Sequence, residues 1–418
     1  VEWLGDVPEH WDSCNLKFIS KIYAGGTPDR NRLDYWVKGE IPWINSGAVN
    51  QVIIKEPSEY ITELGLKNSS AKYIPVNSLV MALAGQGKTK GMVAYTSIET
   101  TCNQSMAAIV PKNYHYKFLY YWLDSNYQNI RNLTGGDNRD GLNLAVLSNI
   151  PCPKISIVEQ TQIVSFLDTE TARIDNLIAK QEKLIELLEE QRKSIISHAV
   201  TKGLNPNAPM KDSGVEWLGD VPEHWNLKRF GYLFDENKKK NIGLKETNVL
   251  SLSYGNIKEK NIDDNKGLLP ESFETYQIIE PNNIVFRFTD LQNDKRSLRS
   301  AISKYHGIIT SAYIAVKTKQ NADFYNYLFR AYDLQKVFYS MGEGMRQSLK
   351  MDELNKMPVV LPNKDEQKRI VSFLDIETAR IDNLIAKQEK LIELLEEQRK
   401  SIISHAVTGK IDVREFGA

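Results

Sequence analysis

One long helical sequence occurs twice in this chain. ETARIDNLIAKQEKLIELLEEQRKSIISHAVT runs from Glu170 to Thr201 and recurs letter for letter from Glu377 to Thr408. Two shorter segments repeat with it: VEWLGDVPEHW at Val1–Trp11 and Val215–Trp225, and IVSFLD at Ile163–Asp168 and Ile370–Asp375. Each repeat therefore reads as a short box, a variable lobe and a long helix. Two copies are too few for a solenoid, which needs about three stacked units. They point instead to a pseudo-dimer within one chain, with an internal two-fold. The expected class is α+β, with two globular α/β lobes separated by two long antiparallel helices. The expected segments are a first box and lobe (1–158), a first long helix (159–201) and a linker (202–214). A second box and lobe (215–365), a second long helix (366–408) and a tail (409–418) follow.

The helix reads as a coiled-coil strand. Ile174, Leu177, Gln181, Leu184, Leu188, Gln191, Ile195 and His198 step by alternating threes and fours, the a/d spacing of a heptad. The second copy offers Ile381, Leu384, Gln388, Leu391, Leu395, Gln398, Ile402 and His405. An antiparallel pairing centred between Leu184 and Leu188 would set Gln181 against Gln398 and Gln191 against Gln388, with Ile174 opposite His405. Buried amides in register can bond one another, whereas a slipped register strands each at about 1–3 kcal/mol. Packing constrains only this seam. Yet outer residues such as Arg173, Asp175, Lys180, Lys183 and Arg192 are repeated too, as if one external partner docked twice.

Cysteine usage and charge narrow the class. The three cysteines form no CxxC pair, which argues for a reducing compartment and the cytoplasm. The net charge is zero, from 53 basic and 53 acidic residues. The balance is uneven: residues 12–158 hold 15 Lys/Arg against 11 Asp/Glu, and residues 226–365 hold 22 against 17. Mildly basic lobes suit a polyanionic partner, because a local field steers even when the total vanishes.

The motifs favour binding over catalysis. ALAGQGKT at Ala82–Thr89 imitates a phosphate loop, but its first glycine is replaced and a strand-like KGMVAYTSI follows instead of a helix. Lys88 and Lys90 are better suited to a DNA phosphate. TGGDNRDGLN (Thr134–Asn143) and MGEGMRQSLK (Met341–Lys350) occupy matching places late in each lobe. They offer Asn138 with Arg139, and Arg346 with Gln347, the residue types that fork to guanine and adenine edges. Arg296 and Arg299 in DKRSLRS, together with Arg30, Arg32, Arg131 and Lys238–Lys240, are further phosphate candidates. No metal-ligand or nucleophile motif appears.

Taken together, the boxes, GGTP at Gly25–Pro28, GQGKTKG at Gly85–Gly91, CNQ at Cys102–Gln104 and the EQ leading each helix resemble the specificity subunit of a type I restriction–modification system. That resemblance covers essentially the whole chain. It implies that each lobe is a target-recognition domain reading half of a bipartite double-stranded DNA site, with the helices as ruler. It also implies docking of two methyltransferase (modification) subunits and, with them, restriction (motor-nuclease) subunits. No cofactor is expected on this chain itself; S-adenosylmethionine, ATP and Mg²⁺ would belong to those partners. The alternatives are a self-contained DNA methyltransferase or endonuclease, and a coiled-coil assembly protein without a nucleic-acid role.

Overall fold

The structure is a computed structural model that describes residues 3–85, 88–134, 141–260, 272–289, 298–341 and 349–413. Two long helices dominate it, Ile157–Lys202 and Lys364–Val407. The chain divides into two compact units, Val1–Gln181 with Lys390–Ala418, and Glu182–Glu389. Both dividing points fall inside the long helices, so each unit owns one lobe, the first half of one helix and the second half of the other. Among the described residues no helix is long and apolar enough to cross a membrane.

In unit one the lobe is a closed excursion. The incoming strand Asp12–Asn15 pairs antiparallel with the outgoing strand Pro151–Lys154, just ahead of the first long helix. Between them lies a five-stranded sheet in the order Ser20–Ala24, Met106–Pro111, Leu79–Ala82, Val93–Thr96 and Ile53–Ile54. The central strands read as near-continuous apolar runs because both faces are covered. Helix Tyr116–Ser125 packs on one face through Phe118, Leu119 and Trp122. That same core takes Ile163, Val164 and Leu167 from the first long helix, and Ile403, Ala406 and Val407 from the second.

Unit two repeats the plan with other residues. Asn226–Arg229 pairs antiparallel with Pro358–Leu361, and a four-stranded sheet runs Phe234–Glu236, Ile314–Thr318, Ile284–Phe286 and Ser300–Ile302. Helix Ala322–Leu334 packs in an aromatic core of Phe230, Phe234, Phe286, Phe324 and Phe329. Ile196, Ala199 and Val200 of the first long helix and Ile370 and Leu374 of the second complete it. The linker is ordered: Met210–Asp212 forms a ribbon with Asp220–Pro222 of the second box, and Lys211 Nζ donates to the Trp225 carbonyl at 2.7 Å.

The junction of box, lobe and helix explains the EQ motif. Glu159 accepts from Trp11 Nε1 at 2.9 Å and lies 3.1 Å from His10 Nε2, while buried Gln160 accepts from the His115 amide at 2.7 Å. In unit two Glu366 lies 2.9 Å from His224 Nε2, and buried Gln367 accepts from the Asn321 amide at 3.1 Å. One residue clamps the box and its neighbour clamps the lobe helix. A turn and more further along, Tyr121 donates to Asp168 at 2.9 Å and Tyr327 to Asp375 at 2.8 Å.

The buried stripe of the long helices departs from the expected seam. It runs Ile163, Leu167, Thr171, Ile174, Ile178, Gln181, Ile185, Leu188, Arg192, Ile196 and Ala199, and the second helix repeats it from Ile370 to Ala406. These ten steps average the 3.6 residues of a straight α-helix, so the stripe drifts off a strict 3.5-residue heptad. Ile174, Gln181, Leu188, Ile381, Gln388 and Leu395 keep their inward places, Gln181 and Gln388 only half-buried. Leu177, Leu384, Ile195 and Ile402 are half-buried; Leu184 and Leu391 are each 39% exposed; and Gln191, Gln398, His198 and His405 are exposed. The expected layers of facing buried glutamines are thereby overturned. The sequence places apolar residues in doublets such as Leu177–Ile178 and Leu184–Ile185, so two stripes fit equally well. The stripe in use is the one that continues into the lobe cores.

The antiparallel sense holds within each unit. In unit one Arg399 donates to Asp175 at 2.9 Å, and in unit two the corresponding pair, Arg192 and Asp382, lies at 3.5 Å. Truncating Ile174, 0% exposed, to Ala is expected to destabilise the fold by about 2–5 kcal/mol, whereas Leu184→Ala should stay within about 1 kcal/mol. Urea denaturation of the two variants checks this, and equal losses would restore the heptad seam.

Candidate nucleic-acid interface

In unit one the motifs from four separate segments converge at one end of the sheet. The Gly25 amide donates to the Met106 carbonyl at 3.1 Å and the Gly26 amide to Cys102 at 2.8 Å. Gly26 lies so close to the Ser70–Ala71 backbone that no Cβ would fit. Thr27 Oγ1 donates to Gln104 Oε1, which joins GGTP directly to CNQ. The Leu83 amide donates to Ser105 at 2.8 Å, the Leu142 amide to Leu83 at 2.8 Å and the Gly91 amide to Ala82 at 2.9 Å. The lysine loop is held from below by Tyr127, whose hydroxyl donates to the Lys88 carbonyl at 2.5 Å. As expected for a non-nucleotide loop, strand Val93–Thr96 follows it.

Individual residues fare differently. Lys88 is exposed on the loop cluster and could reach a phosphate. Lys90 is 3% exposed and cannot, which corrects its expected role. Both lysines lie in the turn ahead of strand Val93–Thr96, where the period-two rule that would give them one face does not apply, and Lys90 packs inward while Lys88 stays in solvent. Arg30 stacks 3.7 Å from the Trp36 ring and pairs with Glu59 at 2.7 Å, and Arg32 pairs with Asp34 at 2.7 Å. Arg131 donates to the Tyr127 hydroxyl at 3.0 Å. These three arginines brace the lobe surface. Lys238, Lys239 and Lys240 are exposed in unit two, the first two beside Glu236 and Glu280. Asn138, Arg139, Arg296, Arg346 and Gln347 lie outside the described residues.

Arg299 is a second correction. It is 0% exposed, directs Nη1 to the Thr289 carbonyl at 3.1 Å, and donates its backbone N–H to Asp333 at 2.7 Å. It therefore serves as a core strut rather than a DNA contact. The sequence signal for this was on the partner: Asp333 stands near the end of the aromatic-rich ADFYNYLFRAYDL, beside Tyr332 and Leu334, where a buried acid needs a donor. Burial pushes the Asp333 carboxyl up to about 6, against the Arg299 amide and the nearby Lys336, Arg299 and Arg330 charges, which draw it down. The folded state thus holds this proton more tightly than the unfolded chain. Its contribution to stability is full below about pH 4 and falls as pH rises to about 6. Asp333→Asn should remove about 3 kcal/mol of that decline, read from urea midpoints across pH; an unchanged pH profile would contradict the assignment.

Comparison with known proteins bears on both units. The family model for the type I restriction modification DNA specificity domain matches residues 8–187 and 301–396. The Escherichia coli EcoR124I/EcoR124II specificity subunit is 31% identical over 179 residues, 41% of this chain and 44% of that protein. The MjaIX specificity subunit of Methanocaldococcus jannaschii is 21% identical over 99% of this chain and 96% of its own length. Among solved structures, the HsdS subunit from Thermoanaerobacter tengcongensis superposes with a TM-score of 0.58 at 14% identity, covering 97% of this chain and 98% of that one. A chain from a structure of type I R-M complex assembly and conformational transition gives a TM-score of 0.71, also at 14% identity, over 97% and 100%. The two structural likenesses show a shared fold, and the family match takes in the first lobe, the later part of the second lobe and part of each repeated helix. This chain belongs to the type I restriction–modification DNA specificity family.

Proposed function

We propose that the chain is the sequence-reading, non-catalytic subunit of a type I restriction–modification complex. Each lobe reads one half of a bipartite double-stranded DNA site, and the long helices set the unread gap. The observation that carries this reading is that both units present the same helix pair, made from complementary halves of identical copies, beside unlike lobes. Identical platforms suit identical partners, and unlike lobes suit unlike half-sites. Leu184 and Leu187, with Leu391 and Leu394, are 39–50% exposed among the repeated charges. This apolar stripe, not used in the cores, would seat one methyltransferase subunit on each unit, and restriction subunits would join through them. S-adenosylmethionine, ATP and Mg²⁺ would act on those partners. Lys88 and Lys238–Lys240 supply sequence-independent phosphate contacts, whose affinity falls as salt rises.

Two measurements test the proposal. Purified chain incubated with labelled S-adenosylmethionine and duplex DNA is expected to transfer no methyl group until a methyltransferase subunit is added; transfer by the chain alone would make it a self-contained enzyme. Deleting Glu182–Leu188 together with Glu389–Leu395 removes one heptad, about 10 Å of helix, from each rod. The gap in the methylated motif, mapped by sequencing genomic DNA, is expected to shorten by about three base pairs; unchanged spacing would remove the ruler role.

A further inference from the structure

The same helical residues meet opposite charges in the two units. In unit one, helix Tyr116–Ser125 and the second long helix flank a groove lined by Lys88, Asp124, Tyr127, Arg399, Lys400 and Ile403. In unit two, helix Ala322–Leu334 and the first long helix flank a groove lined by Arg192, Lys193, Ile196, Tyr254, Asn256 and Arg330. On the long-helix side the residues are identical, Arg399, Lys400 and Ile403 repeating Arg192, Lys193 and Ile196. On the lobe side, the hydrogen bonds from Tyr121 to Asp168 and from Tyr327 to Asp375 fix the correspondence of the two lobe helices. Three residues beyond each tyrosine stand Asp124 and Arg330. An acid in one unit thus occupies the place of a base in the other.

The consequences differ. In unit one Arg399 donates to Asp175 and acts on Asp124, whose carboxyl is pushed up by burial and drawn back by Arg399. One guanidinium there serves two carboxyls, which leaves Lys88 and Lys400 as the other cations of that groove and no second guanidinium. In unit two Arg330 donates through Nη2 to the Gly255 carbonyl at 2.8 Å, and Gly255 takes a left-handed turn at φ +72 that lets the carbonyl approach. The Arg330 Nε is buried and finds no hydrogen-bond acceptor among the described residues. Arg192 Nε faces Asp382 at 3.5 Å without the geometry of a hydrogen bond. Burial lowers the Arg330 pKa, and the adjacent Arg192 lowers it further. Asp382 and, behind the lobe helix, Asp333 offset these charges, and Glu189 lines the rim. Two guanidinium groups and Lys193 still share one groove with Tyr254 and Asn256 as exposed polar neighbours. Guanidinium forks packed in a partly buried site match the oxygens of a phosphate in shape and charge.

We propose that the groove of unit two is a phosphate-binding site held by Arg192, Lys193 and Arg330, and that Asp124, by engaging Arg399, leaves the corresponding groove of unit one without a guanidinium pair to hold a phosphate. The phosphate has two possible sources, a phosphodiester of the DNA backbone or the phosphate group of a small molecule. The site stands independently of the family reading, because inorganic phosphate alone reports on it.

Calorimetric titration of the full chain with inorganic phosphate at low ionic strength is expected to show one saturable site. Arg330→Asp should weaken it at least about tenfold, the rim variant Lys193→Gln should weaken it less, and Asp124→Arg should add a second site. Thermal unfolding of each variant confirms that it folds. No saturable binding by the wild type, or equal binding by wild type, Arg330→Asp and Lys193→Gln, overturns the proposal. A duplex-binding arm then separates the sources. Weaker duplex binding by Arg330→Asp together with lost phosphate binding assigns the DNA backbone; unchanged duplex binding with lost phosphate binding assigns a small phosphate-bearing ligand.

Discussion

Each half of this protein is completed by a helix segment from the far end of the other repeat. Unit one takes the first helix as far as Gln181 and is closed by Lys390–Ala418, while unit two opens on the second half of that helix. Ile403, Ala406 and Val407 are as much part of the first lobe's core as Ile163 and Leu167. The ion pairs Asp175–Arg399 and Asp382–Arg192 are one interaction made twice from exchanged copies. Because each unit samples a different half of each copy, both copies must agree along their whole length for the two platforms to match. That accounts for the letter-for-letter repeat better than seam packing, which leaves an outer face free to drift.

The junction at the start of each helix converts this closure into a defined lobe orientation within its unit. Glu159 and Gln160, and again Glu366 and Gln367, hold the box on one side and the first turn of the lobe helix on the other. Asp168 and Asp375 add a tyrosine bond farther along. Sequence beyond these anchors can vary without moving the frame. The motif cluster of unit one, Gly25 to Thr27 against Cys102 to Gln104, fastens its loops in the same way, mostly by backbone bonds that do not depend on which bases are read.

Repetition and gross order were plain in the sequence, since a long identical segment and its flanking boxes admit few architectures. Finer placement was not. The doublets Leu177–Ile178 and Leu184–Ile185 satisfy two helical stripes at once, and only the lobe cores at Ile163, Leu167 and Ile196 decide between them. Lys90 and Arg299 were read as surface charge because a basic residue near glycine or in a polar run usually is. Lys90 turns inward within the turn ahead of a strand, where no periodic pattern marks it, and Arg299 answers an acid, Asp333, many residues away on a helix. The opposed charges of Asp124 and Arg330 were equally hidden, because the lobes share too little sequence to align without the tyrosine–aspartate bonds.

Truncation at Glu389 followed by hydrogen exchange resolved by peptide tests the exchanged closure most directly. The account predicts that losing the chain's C-terminal segment strips protection from the first lobe, around helix Tyr116–Ser125 and strand Met106–Pro111, while the second lobe keeps its protection. Loss confined to the second lobe, with the first lobe unchanged, would contradict it.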